Sequence, residues 1–254
     1  MRGVFLRKEG KRMNKTALIT GASGGIGKSI SETLAAKGYN LLLHYNTNQY
    51  AAAELAEKLS QMFGVNAEIL QADLSAQDGA DKLTSSIVQP IDAIVLNSGR
   101  SHFGLITDVD NATVQEMVQL HVASPYMLTR NLLPGMIRNK SGAIVAVSSI
   151  WGETGASCEV LYSMAKGAQH SFVKGLAKEL APSGIRVNAV APGAVDTNMM
   201  NQFTPAEKEE IADEIPIGRL ARPQEIADAT AFLLSEKASY ITGQILSVNG
   251  GWHC

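Results

Sequence analysis

Tyr162 and Lys166, four residues apart, carry the clearest chemistry in the chain. In a helical segment that spacing puts both side chains on one face, about a turn apart. A free tyrosine, with a pKa of about 10, is a sluggish proton donor and acceptor near neutrality. An ammonium about 4 Å away favours the phenolate by on the order of 4 kcal/mol at an effective dielectric of about 20. That corresponds to roughly three pKa units before desolvation opposes it. The pair predicts a phenol tuned to protonate a developing alkoxide, a step to which positioned acid–base groups contribute about 10²–10⁴-fold. Ser149 ends a strand-like run thirteen residues before Tyr162 and is expected to donate a hydrogen bond to the same oxygen.

The second constellation is a glycine-rich turn, Gly21, Ala22, Ser23, Gly24, Gly25, Ile26 and Gly27, which follows a strand-like run and opens a helical segment. Glycines there let a backbone approach a pyrophosphate, and the exposed N–H groups and helix dipole favour negative charge. A tight turn with no ligand is the plainer reading of such a segment taken alone. Here the spacing is TGxxxGxG, through Thr20, Gly21, Gly25 and Gly27.

The elements that must position these residues read as an alternation. Apolar, β-rich runs at 16–20, 41–45, 65–71, 91–96, 143–147, 185–190 and 245–248 are separated by helical patterns, such as the Ala/Glu/Leu segment 50–63. Alternation of this kind produces right-handed βαβ crossovers and a parallel sheet covered by helices on both faces. It predicts one Rossmann-like, doubly wound α/β domain over residues 13–254, with about seven mostly parallel strands and the ligand at the strand C-termini.

Composition narrows the function. The chain has 254 residues, 45% hydrophobic and 18% charged, with a net charge of −2, which suits a soluble globular protein with a sizeable core. No basic stripe predicts nucleic-acid binding, and no apolar run approaches the roughly 18 residues a bilayer span needs. Two cysteines, Cys158 and Cys254, make no disulfide framework and suit a reducing cytoplasm. No metal-ligand spacing is present. Residues 1–12 are basic (Arg2, Arg7, Lys8, Lys11, Arg12), and Met13 directly precedes the first strand-like run. That pattern is expected of a disordered N-terminal extension from an upstream start, with a basic docking arm as the alternative.

From about residue 15 to the end, the chain resembles the short-chain dehydrogenase/reductase family. The TGxxxGxG turn, Asn97-Ser98-Gly99, Ser149, the YxxxK of Tyr162 and Lys166, Pro192-Gly193 with Thr197, and the tail from Arg219 carry the likeness. The resemblance implies a nicotinamide dinucleotide as cofactor. Its adenine side is expected at Asp73 and Leu74, with Asn97, Ser98 and Gly99 along it. The nicotinamide is expected at Pro192, Gly193, Val195 and Thr197, with Lys166 also on its ribose. Cofactor choice is read at the end of the second strand, at Tyr45 and Asn46. An acidic residue there would bond the ribose 2′-hydroxyl of NAD, and none is present, so NADP(H) is expected. Gly24 departs from the pattern, because NADP-using relatives often carry Arg or Lys there. Lys28 is either a substitute or a solvated helix lysine.

A second departure is His121, 28 residues before Ser149, where relatives usually have the asparagine that supports a water chain from the lysine. An imidazole with a pKa of about 6.5 suits a proton relay near neutrality; a satisfied core histidine is the competing reading. The broad resemblance is to 3-oxoacyl-(acyl-carrier-protein) reductases, with an acyl carrier protein as the implied partner and a homotetramer as the usual assembly. Carrier docking uses basic residues, and Lys140 holds one such position while Ser183 holds the other. The segment between Ser149 and Tyr162 carries Trp151, Glu153 and Glu159. Two carboxylates beside a ketone suggest a substrate with a positive amine; two solvated loop glutamates are the alternative. Trp151 is either a substrate-facing plane or a packing residue. With Cys158-Glu159 and the terminal Gly251-Trp252-His253-Cys254, this segment resembles the bacterial branch of elongation factor P 5-aminopentanone reductases, which implies elongation factor P as partner. Arg100, His102 and Phe103 are expected as another wall of the site. A non-catalytic NADP-binding sensor is the rival from a different class, and retention of the serine, tyrosine and lysine argues against it.

Overall fold

In the computed structural model, which describes residues 14–254, strands and helices alternate along the chain. The first half contains β1 (Thr16–Ile19), α1 (Gly25–Ala36), β2 (Asn40–Tyr45), α2 (Gln49–Phe63), β3 (Ala67–Gln71), α3 (Gly79–Ser85) and β4 (Ala93–Leu96). Next, α4 (Asn111–Val118) runs through a π-helical turn (Gln119–Ala123) into α5 (Ser124–Asn139). The rest comprises β5 (Gly142–Val147), the one-turn α6 (Trp151–Thr154), α7 (Val160–Leu180), β6 (Ile185–Pro192), α8 (Pro205–Glu214), α9 (Pro223–Leu234) and β7 (Ile245–Val248). The basic segment 1–12 lies outside the described residues.

All seven strands join one sheet in the order β3-β2-β1-β4-β5-β6-β7, and every pairing is parallel. The doubly wound α/β architecture expected from the sequence is therefore present, with the sheet parallel throughout. Strand periodicity divides the core. Ala17, Ile19, Leu41, Leu43 and Val145 face one cluster, which includes Ile30 and Leu34 of α1 and Ile226 of α9. Their neighbours Leu18, Leu42 and Ile144 face the other, with Leu128 of α5 and Val173 of α7. Successive side chains of a strand point to opposite faces, so near-continuous apolar runs are what a sheet covered on both sides requires.

Two consequences of this topology position the site. The strand order reverses between β1 and β4, which opens a crevice at the strand C-termini. The π-helical turn has a local cause in Pro125. A regular helix would bond the carbonyl of His121 to the N–H of residue 125; proline has no N–H, and its ring crowds that carbonyl. Widening to a π turn relieves the crowding and leaves the His121 carbonyl facing inward.

Candidate active site

The crevice is organised by side chains that tie strand ends together. Thr20 Oγ1 accepts from the N–H groups of Asn97 (2.9 Å) and Ser98 (3.0 Å), and Asn97 Nδ2 donates to the carbonyls of Thr20 (3.0 Å) and Gly21 (3.1 Å). These bonds lock β1 to β4 where both leave the sheet. On the other side, His44 Nδ1 accepts from the Gly21 N–H (3.0 Å) while its Nε2 donates to the Ala72 carbonyl (3.0 Å). Burial lowers the pKa of His44 to about 4, which keeps the imidazole neutral with one donor and one acceptor. Gly27 is obligatory in this packing, because a Cβ there would come within 2.2 Å of the Gly21 carbonyl oxygen. No side chain caps the first turn of α1, so its N–H groups and the positive helix end are free for an anion.

A cavity of about 1110 Å³ runs from this turn to Ser149, Tyr162 and Lys166. Gly21, Ser23, Gly24, Gly25, Ile26 and Gly27 line it at the glycine turn, and Asn46, Asp73 and Leu74 line it as well. Asn97, Ser98 and Gly99 also line it, as do Pro192, Gly193, Val195 and Thr197, the last of these close against Gly25. Two residues expected to line it do not: Ala22 and Tyr45 are buried away from the cavity. Adjacent strand residues face opposite ways, and at the end of β2 it is His44 that takes the site side. Past it, Thr47 and Asn48 join Asn46, so that end offers neutral polar groups and no carboxylate from β2. The cradle with no room for a Cβ, the uncapped helix end and the cavity's volume fit a dinucleotide.

At the other end, Lys166 is 3% exposed. Its Nζ donates to the Val147 carbonyl at the end of β5 (2.9 Å) and to Gln169 Oε1 (3.3 Å), and lies 5.5 Å from the centroid of the Tyr162 ring. Burial lowers its pKa to about 7. The Tyr162 phenol is held above its ordinary range by burial first and by the charge of Glu159 second, with a hydrogen bond from Ser149 opposing. The phenol is thus raised where the sequence predicts that the ammonium depresses it. Nζ is held by its two acceptors, and the same desolvation that hinders the phenolate also weakens the lysine's charge.

His121 departs from the relay expectation. It is fully buried and does not line the cavity. Its Nε2 donates to the Arg100 carbonyl (2.9 Å), its ring meets Tyr162 edge-on at 5.6 Å, and Nδ1 has no partner among the described residues. Burial, then the Lys166 charge, lowers its pKa to about 3, so the imidazole stays neutral where a relay would need it to titrate. Its connection to Lys166 runs instead through its main-chain carbonyl, which accepts from Gln169 Nε2 (2.9 Å).

The two glutamates also separate. Glu153 is exposed, off the cavity, and accepts from Ser247 Oγ at 3.0 and 2.9 Å. Glu159 lines the cavity, half-buried, with its pKa raised by burial. Of these two glutamates only Glu159 lines the cavity, which Glu214 and Asp73 also border. Trp151 lines the cavity and packs edge-on against Trp252 at 5.3 Å, so it serves both readings at once. Arg100 and Phe103 line the cavity, whereas His102 faces a separate apolar pocket with Cys158. Sequence reasoning missed His44, Gln169 and Trp252; a polar residue one turn beyond Lys166 on the same helix face was the available signal for Gln169. Among the described residues no group of side chains could hold a metal, and no helix is long and apolar enough to cross a membrane.

A family model described as Enoyl-(Acyl carrier protein) reductase matches residues 21–253. Uncharacterized oxidoreductase YmfI of Bacillus subtilis (strain 168) is 99% identical over 242 residues, covering 95% of this chain and 100% of that protein. The 3-oxoacyl-[acyl-carrier-protein] reductase FabG of Aquifex aeolicus (strain VF5) is 36% identical over 244 residues, 95% of this chain and 98% of that one. Among solved structures, the angucycline C-6 ketoreductase LanV with bound NADP superposes with a TM-score of 0.88 at 31% identity, over 94% of this chain and 95% of that one.

The histidine clamp has a pH signature. The folded pKa of His44 is depressed from 6.5 to about 4, so below pH 6.5 the unfolded chain takes up a proton that the folded chain refuses. Stability is complete above that pH and falls as pH drops towards 4, by on the order of 3 kcal/mol for this residue. Urea unfolding of His44→Gln should show a correspondingly shallower loss between pH 6.5 and 4. A slope identical to wild type would remove His44 from the account.

Proposed function

The chain belongs to the short-chain dehydrogenase/reductase family, and from that premise we propose that it is an NADPH-dependent ketoreductase resembling the 3-oxoacyl-(acyl-carrier-protein) reductases. The observation that carries this reading is the one cavity that joins the uncapped glycine turn to Ser149, Tyr162 and the buried Lys166. When bound, the cofactor supplies a hydride to the carbonyl carbon.

The protein's own groups supply the rest. The glycine turn and the start of α1 hold the pyrophosphate, Asp73 and Leu74 border the adenine, and Pro192, Gly193, Val195 and Thr197 border the nicotinamide. Ser149 donates a hydrogen bond to the substrate oxygen and orients it. Tyr162 gives its proton to that oxygen as negative charge develops there. The raised pKa of its phenol keeps the proton in place until then. Lys166, poised near pH 7, supplies positive charge beneath the ring as the phenolate forms. The absence of a carboxylate from β2, and the neutral donors Asn46, Thr47 and Asn48, favour a 2′-phosphate over a free ribose hydroxyl.

A second reading, narrower in substrate, is favoured by Glu159. Its half-buried carboxylate has no side-chain partner among the described residues and sits in the cavity by Tyr162. A buried charge without a partner is costly, and an ammonium on the substrate would supply one. This supports reduction of an amine-bearing ketone, as in the 5-aminopentanone modification of elongation factor P, over an acyl chain delivered by a carrier protein.

Two experiments test these readings. NADPH oxidation measured with a β-keto thioester and with 5-amino-2-pentanone should fall by about 10²–10⁴-fold in Tyr162→Phe, with NADPH binding retained; undiminished turnover would exclude Tyr162 as the donor. Glu159→Gln should raise KM for the amine-bearing ketone by roughly tenfold to a hundredfold and barely affect the thioester. Equal effects on both substrates would return the chain to acyl reduction. Cofactor choice has its own test, because a Cβ at Gly24 would meet only the Gly21 carbonyl oxygen, at 3.5 Å. Gly24→Arg should therefore be accommodated and tighten NADPH, but not NADH, by about tenfold. Equal tightening of both would place the 2′-phosphate elsewhere.

A further inference from the structure

Lys166, Gln169 and His121 form a chain of contacts that runs from the ammonium to the π turn. Lys166 and Gln169 are three residues apart on α7, so their side chains leave the same helix face. Both are buried, each 3% exposed. The Gln169 amide is engaged at both ends: Nε2 donates to the His121 carbonyl (2.9 Å), and Oε1 accepts from Lys166 Nζ (3.3 Å). This arrangement fixes the amide's orientation, because a carbonyl can only accept and an ammonium can only donate. The carbonyl is available because Pro125 supplies no N–H four residues on. The π turn thus anchors the amide, and the amide holds the lysine.

We infer that Gln169 is a positioning residue for Lys166, its side-chain amide bridging the π turn to the ammonium and setting both where Nζ sits and how readily it keeps its proton. The inference rests on the proposed role of Lys166 in the reduction. The surroundings of the ammonium make its acceptors decisive. From β5 it meets the Val147 carbonyl, and from α7 the Tyr162 ring and the Gln169 amide, which is itself anchored on the π turn. The charged and titratable groups nearby are few. Burial first, with the Lys166 charge a lesser cause, lowers the pKa values of His121 and His170, and burial followed by the Glu159 charge raises that of Tyr162. No carboxylate pairs with Nζ among the described residues. Of its two acceptors, one is main chain and cannot be altered by substitution; the other is Gln169. Burial holds the pKa of Lys166 near 7, so a change of one acceptor moves its titration across the working range.

Two variants shift that titration in opposite directions. Gln169→Met keeps length and bulk but removes the acceptor, whereas Gln169→Glu replaces a neutral acceptor by a charged one. NMR titration of the Lys166 Nζ in the cofactor-free protein, assigned with Lys166→Arg, should give a midpoint lower in Gln169→Met by about one pH unit and higher in Gln169→Glu by about one or more. The alkaline limb of kcat/KM for ketone reduction should move the same way, leaving Gln169→Met about tenfold slower than wild type above the limb and much closer to it below. Limbs and midpoints unmoved in both variants, or moved in one direction by both, would overturn the inference. A general folding defect lowers the rate at every pH and leaves the midpoint in place. Should Gln169→Met not fold, Gln169→Glu decides alone: an upward midpoint supports the bridge and an unmoved one overturns it. Lys166→Ala separates the two levels of argument. If it retains wild-type turnover, the proposed role of Lys166 fails, whereas a crippled Lys166→Ala beside unshifted Gln169 variants defeats the bridge alone.

Discussion

The burial of Lys166 is the constraint around which the reacting end is arranged. Removing an ammonium from water costs several kcal/mol after relaxation, and this one is met by two carbonyl-type acceptors and no carboxylate. The Val147 carbonyl is available because β5 ends there, and the amide is available because Gln169 follows one turn later on α7. With its charge only partly secured, Lys166 is poised near neutrality. The neighbouring phenol, buried in the same pocket, is pushed the other way. Both shifts come from the same desolvation.

The parallel sheet explains why so much of this lies at one edge. Every strand leaves in the same direction, so the ends of β1, β2, β4, β5 and β6 converge on one crevice. There the chain needs side chains to stop its strands and join them. Thr20, Asn97 and His44 do so by hydrogen bonds to backbone groups that the sheet no longer pairs. The glycine turn is held in shape by these contacts before any ligand arrives, which lowers the ordering cost of binding.

Much of this was legible in the sequence. The alternating apolar runs gave the strands to within a residue or two at most ends, and the spacing of Gly21, Gly25 and Gly27 with Ser149, Tyr162 and Lys166 marked both ends of the cavity. Sequence did not tell which side of a strand end faces the crevice. Tyr45 was expected there and His44 found, a matter of one residue in a period of two. Nor did it separate Glu153 from Glu159, because the single helical turn between Trp151 and Thr154 swings Glu153 towards Ser247 on β7. His121 was read by its side chain, whereas its main chain makes the connection; burial, which sets its pKa, has no local signature. The meaning of Pro125 is visible only once the helix it interrupts is known to pass beside Lys166.

The central claim is hydride transfer from the nicotinamide to a ketone carbon within this cavity. Its most direct measurement is the reduction of 5-amino-2-pentanone and of a β-keto thioester with NADPH carrying deuterium at both C4 positions, followed by mass spectrometry and NMR of the alcohol. The account predicts one deuterium on the carbinol carbon of the preferred substrate's product. Alcohol formed without that deuterium, or NADPH bound tightly with no alcohol from either ketone, would contradict it.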